Sequence, residues 1–200
     1  MLGGMTEPRR LTDPDVLKAL THPLRRRIYR LLCEQGAATV TSLGERVDAD
    51  PGQVSYHLRE LAKRGFIEEA PELARDRREH WWRAVVESYG WSTTDFTDPA
   101  DRAVAETAER LQVEEQFERL RAYHSTGATW EREWLDAATT SSSNLRLTPD
   151  ELRALSAELG EVLRRWAEVG RVDPKLRPED RPDDGRERVF LFFHAFPERA

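Results

Sequence analysis

The chain has 200 residues, with 31 Lys and Arg against 37 Asp and Glu, a formal net charge of −6 and one cysteine. A single cysteine excludes an intramolecular disulfide, and the sequence holds neither a signal-type apolar stretch nor a membrane-spanning run, which points to a cytoplasmic protein with no membrane partner. Residues 1–90 carry 15 basic and 14 acidic side chains and residues 91–200 carry 16 and 23, so the acid excess sits in the second half and leaves the first as the approach face for a polyanion.

Residues 1–10 read as a disordered tail. Two short helices follow, one over 13–20 and one over 23–32, the second with a buried stripe of Leu24, Ile28, Leu31 and Leu32. Arg26 and Arg30 fall away from that stripe, where they suit either a phosphate backbone or plain solvation.

Val40, Leu43 and Val47 then share one helical face, and Val54, Leu58 and Leu61 share another, with a short turn between the two helices. Asp50 is a natural N-cap for the second helix, and Pro51 suits its first position, which needs no amide donor. With Val54, Leu58 and Leu61 inward, helical geometry turns Gly52, Gln53, Tyr56 and Arg59 outward, with Ser55 and His57 at the edges. Those are groove-reading residue types: Gln53 suits adenine, Arg59 guanine or phosphate, and Ser55 and Tyr56 either.

Gly65 ends that helix, and two strands, 66–69 and 80–85, form a hairpin whose tip carries Arg75, Arg77 and Arg78. Such a basic tip suits phosphate contact or minor-groove entry, although Asp76 and Glu79 dilute its charge. The whole DNA-facing set is therefore Thr41, Gln53, Ser55, Tyr56, His57, Arg59, Lys63, Arg75, Arg77 and Arg78, carried by a recognition helix over 51–64 and a wing over 66–85.

The polar, turn-rich stretch 91–99 reads as a linker. A long helix from about Ala100 to Tyr123 follows, and its apolar stripe changes sides: Val104, Ala108 and Leu111 lie on one face, Val113, Phe117, Leu120 and His124 almost opposite. A helix built this way touches two different bodies. After a segment with Trp130, Trp134 and Leu135, a capping box at Thr148 and Glu151 opens a helix bearing Leu152, Leu155, Leu159, Val162, Trp166 and Val169. That seam fits pairing across a dimer or cover within the domain. The apolar run 188–196 reads as a strand paired with 143–147, and Trp130, Trp134, Trp166, Phe190 and Phe192 are candidates for lining a small-molecule effector pocket.

Three features together resemble the ArsR-type winged-helix regulators of bacteria, over about residues 11–88: 19–25 (Ala-Leu-Thr-His-Pro-Leu-Arg), 54–61 (Val-Ser-Tyr-His-Leu-Arg-Glu-Leu), and 63–68 leading into the wing. The second half looks like the rear domain of longer ArsR-like proteins of actinobacteria. The resemblance implies a homodimeric transcription factor on double-stranded DNA, usually a repressor released by a signal. The cysteine pair of many metal-sensing members is absent, since that region reads Ala38-Thr39-Val40-Thr41-Ser42.

The expected architecture is mostly α with small β (α+β): a winged helix-turn-helix over 11–90, a linker over 91–99, and a helical domain with a small sheet over 100–200 for dimerisation or effector binding. Paired recognition helices of a dimer would sit about 34 Å apart to meet successive major grooves. No nucleotide loop, nucleophile elbow or paired carboxylates stand out, so neither enzymatic activity nor a cofactor is expected, and the five scattered histidines mark no metal site. Two other readings stay open: a metal-responsive sensor with His and carboxylate ligands, and a winged helix that binds protein without specific DNA contact.

Overall fold

The computed structural model describes residues 9–76, 79–85, 89–173 and 175–198. Arg77 and Arg78 of the expected wing tip, and residues 1–8 of the expected tail, lie outside these. The fold is mostly helical with a small sheet, as the sequence leads one to expect, and the chain divides into two units. One comprises Met1–Leu111 with Val172–Arg188, the other Gln112–Arg171 with Val189–Ala200.

The first unit opens with β1 (Arg9–Arg10), α1 (Pro14–Ala19) and α2 (Pro23–Gln35). Asp13 caps α1 by accepting the Asp15 N–H at 2.8 Å. β2 (Ala38–Thr39) leads into α3 (Val40–Val47), where Thr39 and Ser42 satisfy each other's backbone N–H groups in a capping box. The turn to α4 (Pro51–Lys63) places Asp48 in the left-handed region at φ 52, a conformation that Asp tolerates better than most residues. Asp50 then accepts the Gly52 N–H at 2.7 Å, as its position before Pro51 predicts.

At Gly44 a Cβ would stand 3.1 Å from the Ala49 carbonyl oxygen, so the turn between the helices would have to give by a few tenths of an ångström. Glycine is favoured more strongly at Gly65, whose φ of +71 takes the chain out of α4 into the wing. The wing sheet has the order β2-β4-β3, all antiparallel, with β3 (Ile67–Glu69) and β4 (Trp81–Ala84). Ile67 opposes Ala84, and Ala38 opposes Trp82. A second, parallel pair joins β1 to β5 (Tyr89–Gly90).

Leu17, Leu20, Ile28, Leu32, Leu43, Val54, Leu58, Leu61 and Phe66 form a single buried core. Each such side chain contributes roughly 1.5–3 kcal/mol by leaving water. Val54, Leu58 and Leu61 are fully buried, so the inward face predicted for α4 is the observed one. Leu24 and Leu31 are only half buried on α2, and Tyr29 joins the core in addition.

The stretch 91–99 lies inside the first unit. Phe96 is buried, Trp91 stacks on Tyr89 at 6.0 Å, and the Trp91 indole N–H donates to the Ala105 carbonyl. Turn-forming polar residues there surround two aromatic anchors, and the anchors decide the placement. The long helix α5 (Pro99–Thr126) buries Ala105 and Ala108 in the core of the first unit, and the boundary between units falls at 111/112, where its apolar stripe changes sides.

The second unit holds the rest of α5 with α6 (Arg132–Ala137) and α7 (Pro149–Val169). The capping box at the start of α7 forms as read: the Glu151 carboxylate accepts the Thr148 N–H at 2.7 Å, and Thr148 Oγ1 accepts the Glu151 N–H at 3.3 Å. Neither 143–147 nor 188–196 is a strand, which corrects the expected pairing between them. A strand needs a ladder partner and a covered face, and here Leu145, Val189, Leu191 and Phe196 are exposed, with Phe192 alone half buried, edge-on to Phe117. None of the described residues of this unit is buried.

Candidate nucleic-acid interface

The burial of Val54, Leu58 and Leu61 fixes how α4 presents its other side. Gln53, Tyr56, Arg59 and Lys63 are exposed along one outward face, Ser55 is half buried, and Thr41 is exposed on α3. Tyr56 is 53% exposed, a large commitment of aromatic surface to solvent in an unliganded chain. Arg59 folds back, its Nε donating to the Ser55 carbonyl at 3.2 Å, a weak intrahelical contact that a base edge or phosphate can replace.

His57 departs from expectation. It is buried against His22, ring centroids 4.4 Å apart, and its Nδ1 has no hydrogen-bond partner among the described residues. In this structure it lies on the covered side of α4, against the chain's own residues. One residue of helical phase separates it from exposed Tyr56, and the His22 ring lies against it.

Burial, with the neighbouring Arg25 cation, pushes both imidazoles below the ordinary histidine value of 6.5; at His57 the His22 ring adds to the effect and Glu60 opposes it. The folded chain therefore binds fewer protons here than the unfolded chain does. Stability from this pair is complete above the unfolded histidine range and is lost as the pH falls through that range to the lowered folded values. We expect the urea midpoint to drop between about pH 7.5 and about pH 5.5, a window above the carboxylates, and to drop less in His57→Leu. An unchanged pH profile in that variant would show that the pair stays protonated on folding.

Several arginines of the first unit have partners within the chain, among them Arg26 and Arg30, the two read as phosphate contacts or plain solvation. Arg26 donates to the carbonyls of Leu20 and Leu111, and Arg27 to those of Val47 and Arg46, so they serve as C-terminal caps of α1 and α3. Arg30 lies 4.0 Å from Glu34, one turn along α2. Arg64 joins α4 to α1 through the Asp15 carbonyl and pairs with Glu60 at 2.6 Å, an arrangement that holds the Glu60 carboxyl below its usual range.

In the wing, Arg83 pairs with Glu68 and Glu72 across the strands. Arg75 remains largely exposed, 3.7 Å from Glu179, close enough for a surface ion pair that an incoming phosphate can displace. Glu79 accepts the Arg75 N–H and the Trp81 indole N–H, which lowers its pKa.

Sequence reasoning missed Arg177. It is buried, donates to the Leu73 carbonyl, lies 3.6 Å from Glu79, and places its guanidinium 5.2 Å from the centre of the Trp81 ring. It braces the base of the wing from a segment about a hundred residues downstream, inside a proline- and charge-rich stretch that carries no local sign of it. The five aromatics expected to line an effector pocket do not converge. Trp130 touches Trp134 and Phe190 touches Phe192, but Trp166 makes no ring contact with the other four among the described residues and is 62% exposed. Arg119 covers the face of Phe190 at 3.5 Å.

A helix-turn-helix domain family, HTH_20, matches residues 20–70. The chain carries a helix-turn-helix domain. No curated protein matches the chain at a significant level. Among solved structures it is similar to the homodimeric winged helix-turn-helix DNA-binding domain (fragment 1–100) of Mb0332 from Mycobacterium bovis, a possible ArsR-family transcriptional regulator. The identity is 22% over 51% of this chain and 76% of that one, at a TM-score of 0.34. A possible transcriptional regulator for arsenical resistance shares 26% over 54% of this chain and 94% of that one, at a TM-score of 0.31. Wild-type ZitR from Lactococcus lactis in complex with DNA shares 17% over 80% and 82%, at a TM-score of 0.27. At such TM-scores these likenesses add no weight to the geometry of the helix-turn-helix domain.

Among the described residues no helix is long and apolar enough to cross a membrane, and no group of three His, Cys, Asp or Glu stands together as a metal site.

Proposed function

We propose that this protein is a sequence-specific DNA-binding transcriptional regulator of the ArsR-like winged-helix kind, a repressor that acts as a homodimer. The observation that carries the reading is the outward face of α4, where Gln53, Tyr56, Arg59 and Lys63 stand exposed above a fully buried Val54-Leu58-Leu61 base within a helix-turn-helix. That face carries groove-reading residue types, and Thr41 and Arg75, both exposed, serve as phosphate contacts.

The test is capture of fragmented genomic DNA from the source organism by the purified protein at about 150 mM salt, where non-specific phosphate binding is already weakened. A few enriched sites sharing an inverted repeat are expected. Even recovery across the genome refutes sequence-specific binding and favours a winged helix that binds protein.

A further inference from the structure

We propose that a second copy of this chain docks on the face of α7 that carries Leu152, Leu155, Leu159, Val162, Trp166 and Val169, with the two α7 helices antiparallel about a two-fold axis between Gly160 and Glu161. Dimerisation in the proposed function supplies the two-fold symmetry on which this rests; the surface and its polarity come from α7 itself.

The six residues alternate three and four apart over the full 21-residue helix, which is the a/d spacing of a coiled coil, and Leu163, half buried, adds an apolar e position beside it. The second unit leaves that face uncovered: Leu152 and Leu155 are half buried, while Leu159, Val162, Trp166 and Val169 are exposed, the last at 55%. A unit with no buried residue among those described lacks the apolar burial that offsets chain entropy, so another surface must supply it.

Register and charge select a second antiparallel copy as the occupant. In that arrangement an a residue faces a d residue of the other helix, so Leu152 meets Val169, Leu155 meets Trp166, and Leu159 meets Val162, with all six used and none left over. The flanking g positions then meet each other, and they hold Glu158 and Arg165. Each Glu158 faces the other copy's Arg165, and the two-fold axis repeats the pair. Within the chain neither residue has an ion-pair partner among the described residues, and both are exposed. A parallel pair would instead set Glu158 opposite Leu163 and Arg165 opposite Gly170, with no charge matched.

Sedimentation equilibrium of the full chain without DNA, at about 1–100 µM protein and about 150 mM salt, tests this. The wild type is expected to dimerise. Glu158→Arg sets like charges together twice per dimer and weakens association about tenfold, as does Arg165→Glu, and the double variant E158R/R165E recovers it. Both positions are exposed, so the single variants keep the fold, and recovery in the double variant reports the charge match itself. A monomeric wild type, a dimer indifferent to either reversal, or a double variant no better than the singles would each overturn the proposal. Because no DNA is present, a charge-dependent dimer that shows no sequence preference in genomic capture refutes the DNA reading alone.

Discussion

Phe66→Ala is expected to cost the first unit about 3–5 kcal/mol, a large share of the 5–15 kcal/mol that typically holds a domain folded. Phe66 is fully buried where α4 turns into the wing, edge-on to Tyr29 at 5.3 Å and to Tyr89 at 5.8 Å, with the Arg9 guanidinium 5.4 Å from its ring centre. Its carbonyl accepts the Val85 N–H at 3.0 Å, so the same residue ties the helix, the wing and the parallel β1/β5 pair together. Truncation leaves a cavity among aromatic neighbours that cannot collapse into it, because the backbone around the residue is held by sheet bonds. Urea unfolding followed by tryptophan fluorescence measures the loss. A change below about 1 kcal/mol would mean that Phe66 is not part of a close-packed core.

Gln53→Ala and Arg59→Ala are expected to act on sequence preference, each removing about 1–3 kcal/mol of discrimination between the selected site and a scrambled one, or up to about a hundredfold. Both side chains are exposed on α4 and leave the buried face untouched, so the helix persists in either variant. Lys63→Ala supplies the contrast. Near the end of α4 and exposed, Lys63 suits a phosphate, and its loss should weaken binding to all sequences alike and reduce the salt dependence by about one released counterion. Fluorescence anisotropy with both duplexes across a salt series separates the two patterns. Equal losses on both duplexes for Gln53 and Arg59 would remove them from base readout.

Half of the interface was legible from local chemistry. The Val54-Leu58-Leu61 spacing marked the inward side of α4 and so its outward face, and Asp50-Pro51 marked its start, because capping and helical phase involve residues within a turn of each other. His57 shows where that logic stops. Phase alone leaves an edge residue free to turn either way, and the choice fell to His22, 35 positions upstream, whose ring lies against it.

The arginines show the same limit. A long guanidinium side chain reaches several ångströms from its backbone, and no local pattern says that Arg26 ends at Leu111 or that Arg177 ends under the wing at Leu73. The stripe of α5 did announce two bodies, and the unit boundary at 111/112 follows it, yet the polar run 91–99 hid two aromatic anchors that hold it in the first unit. In the second unit the apolar run 188–196 has the composition of a buried strand, but a strand exists only where a neighbour completes its ladder, and no sequence window contains its neighbour.

The sequence by itself determined where α4 and α7 begin, which face of the recognition helix is apolar, and the three-and-four spacing of apolar residues along α7, since each depends on residues no more than a few turns apart. Tertiary structure alone decided the burial of His57, the destinations of Arg26, Arg27 and Arg177, the extent of the first unit and the absence of the rear strand pairing. These depend on contacts between distant segments, whose free energy is settled by packing and desolvation after the local elements have formed.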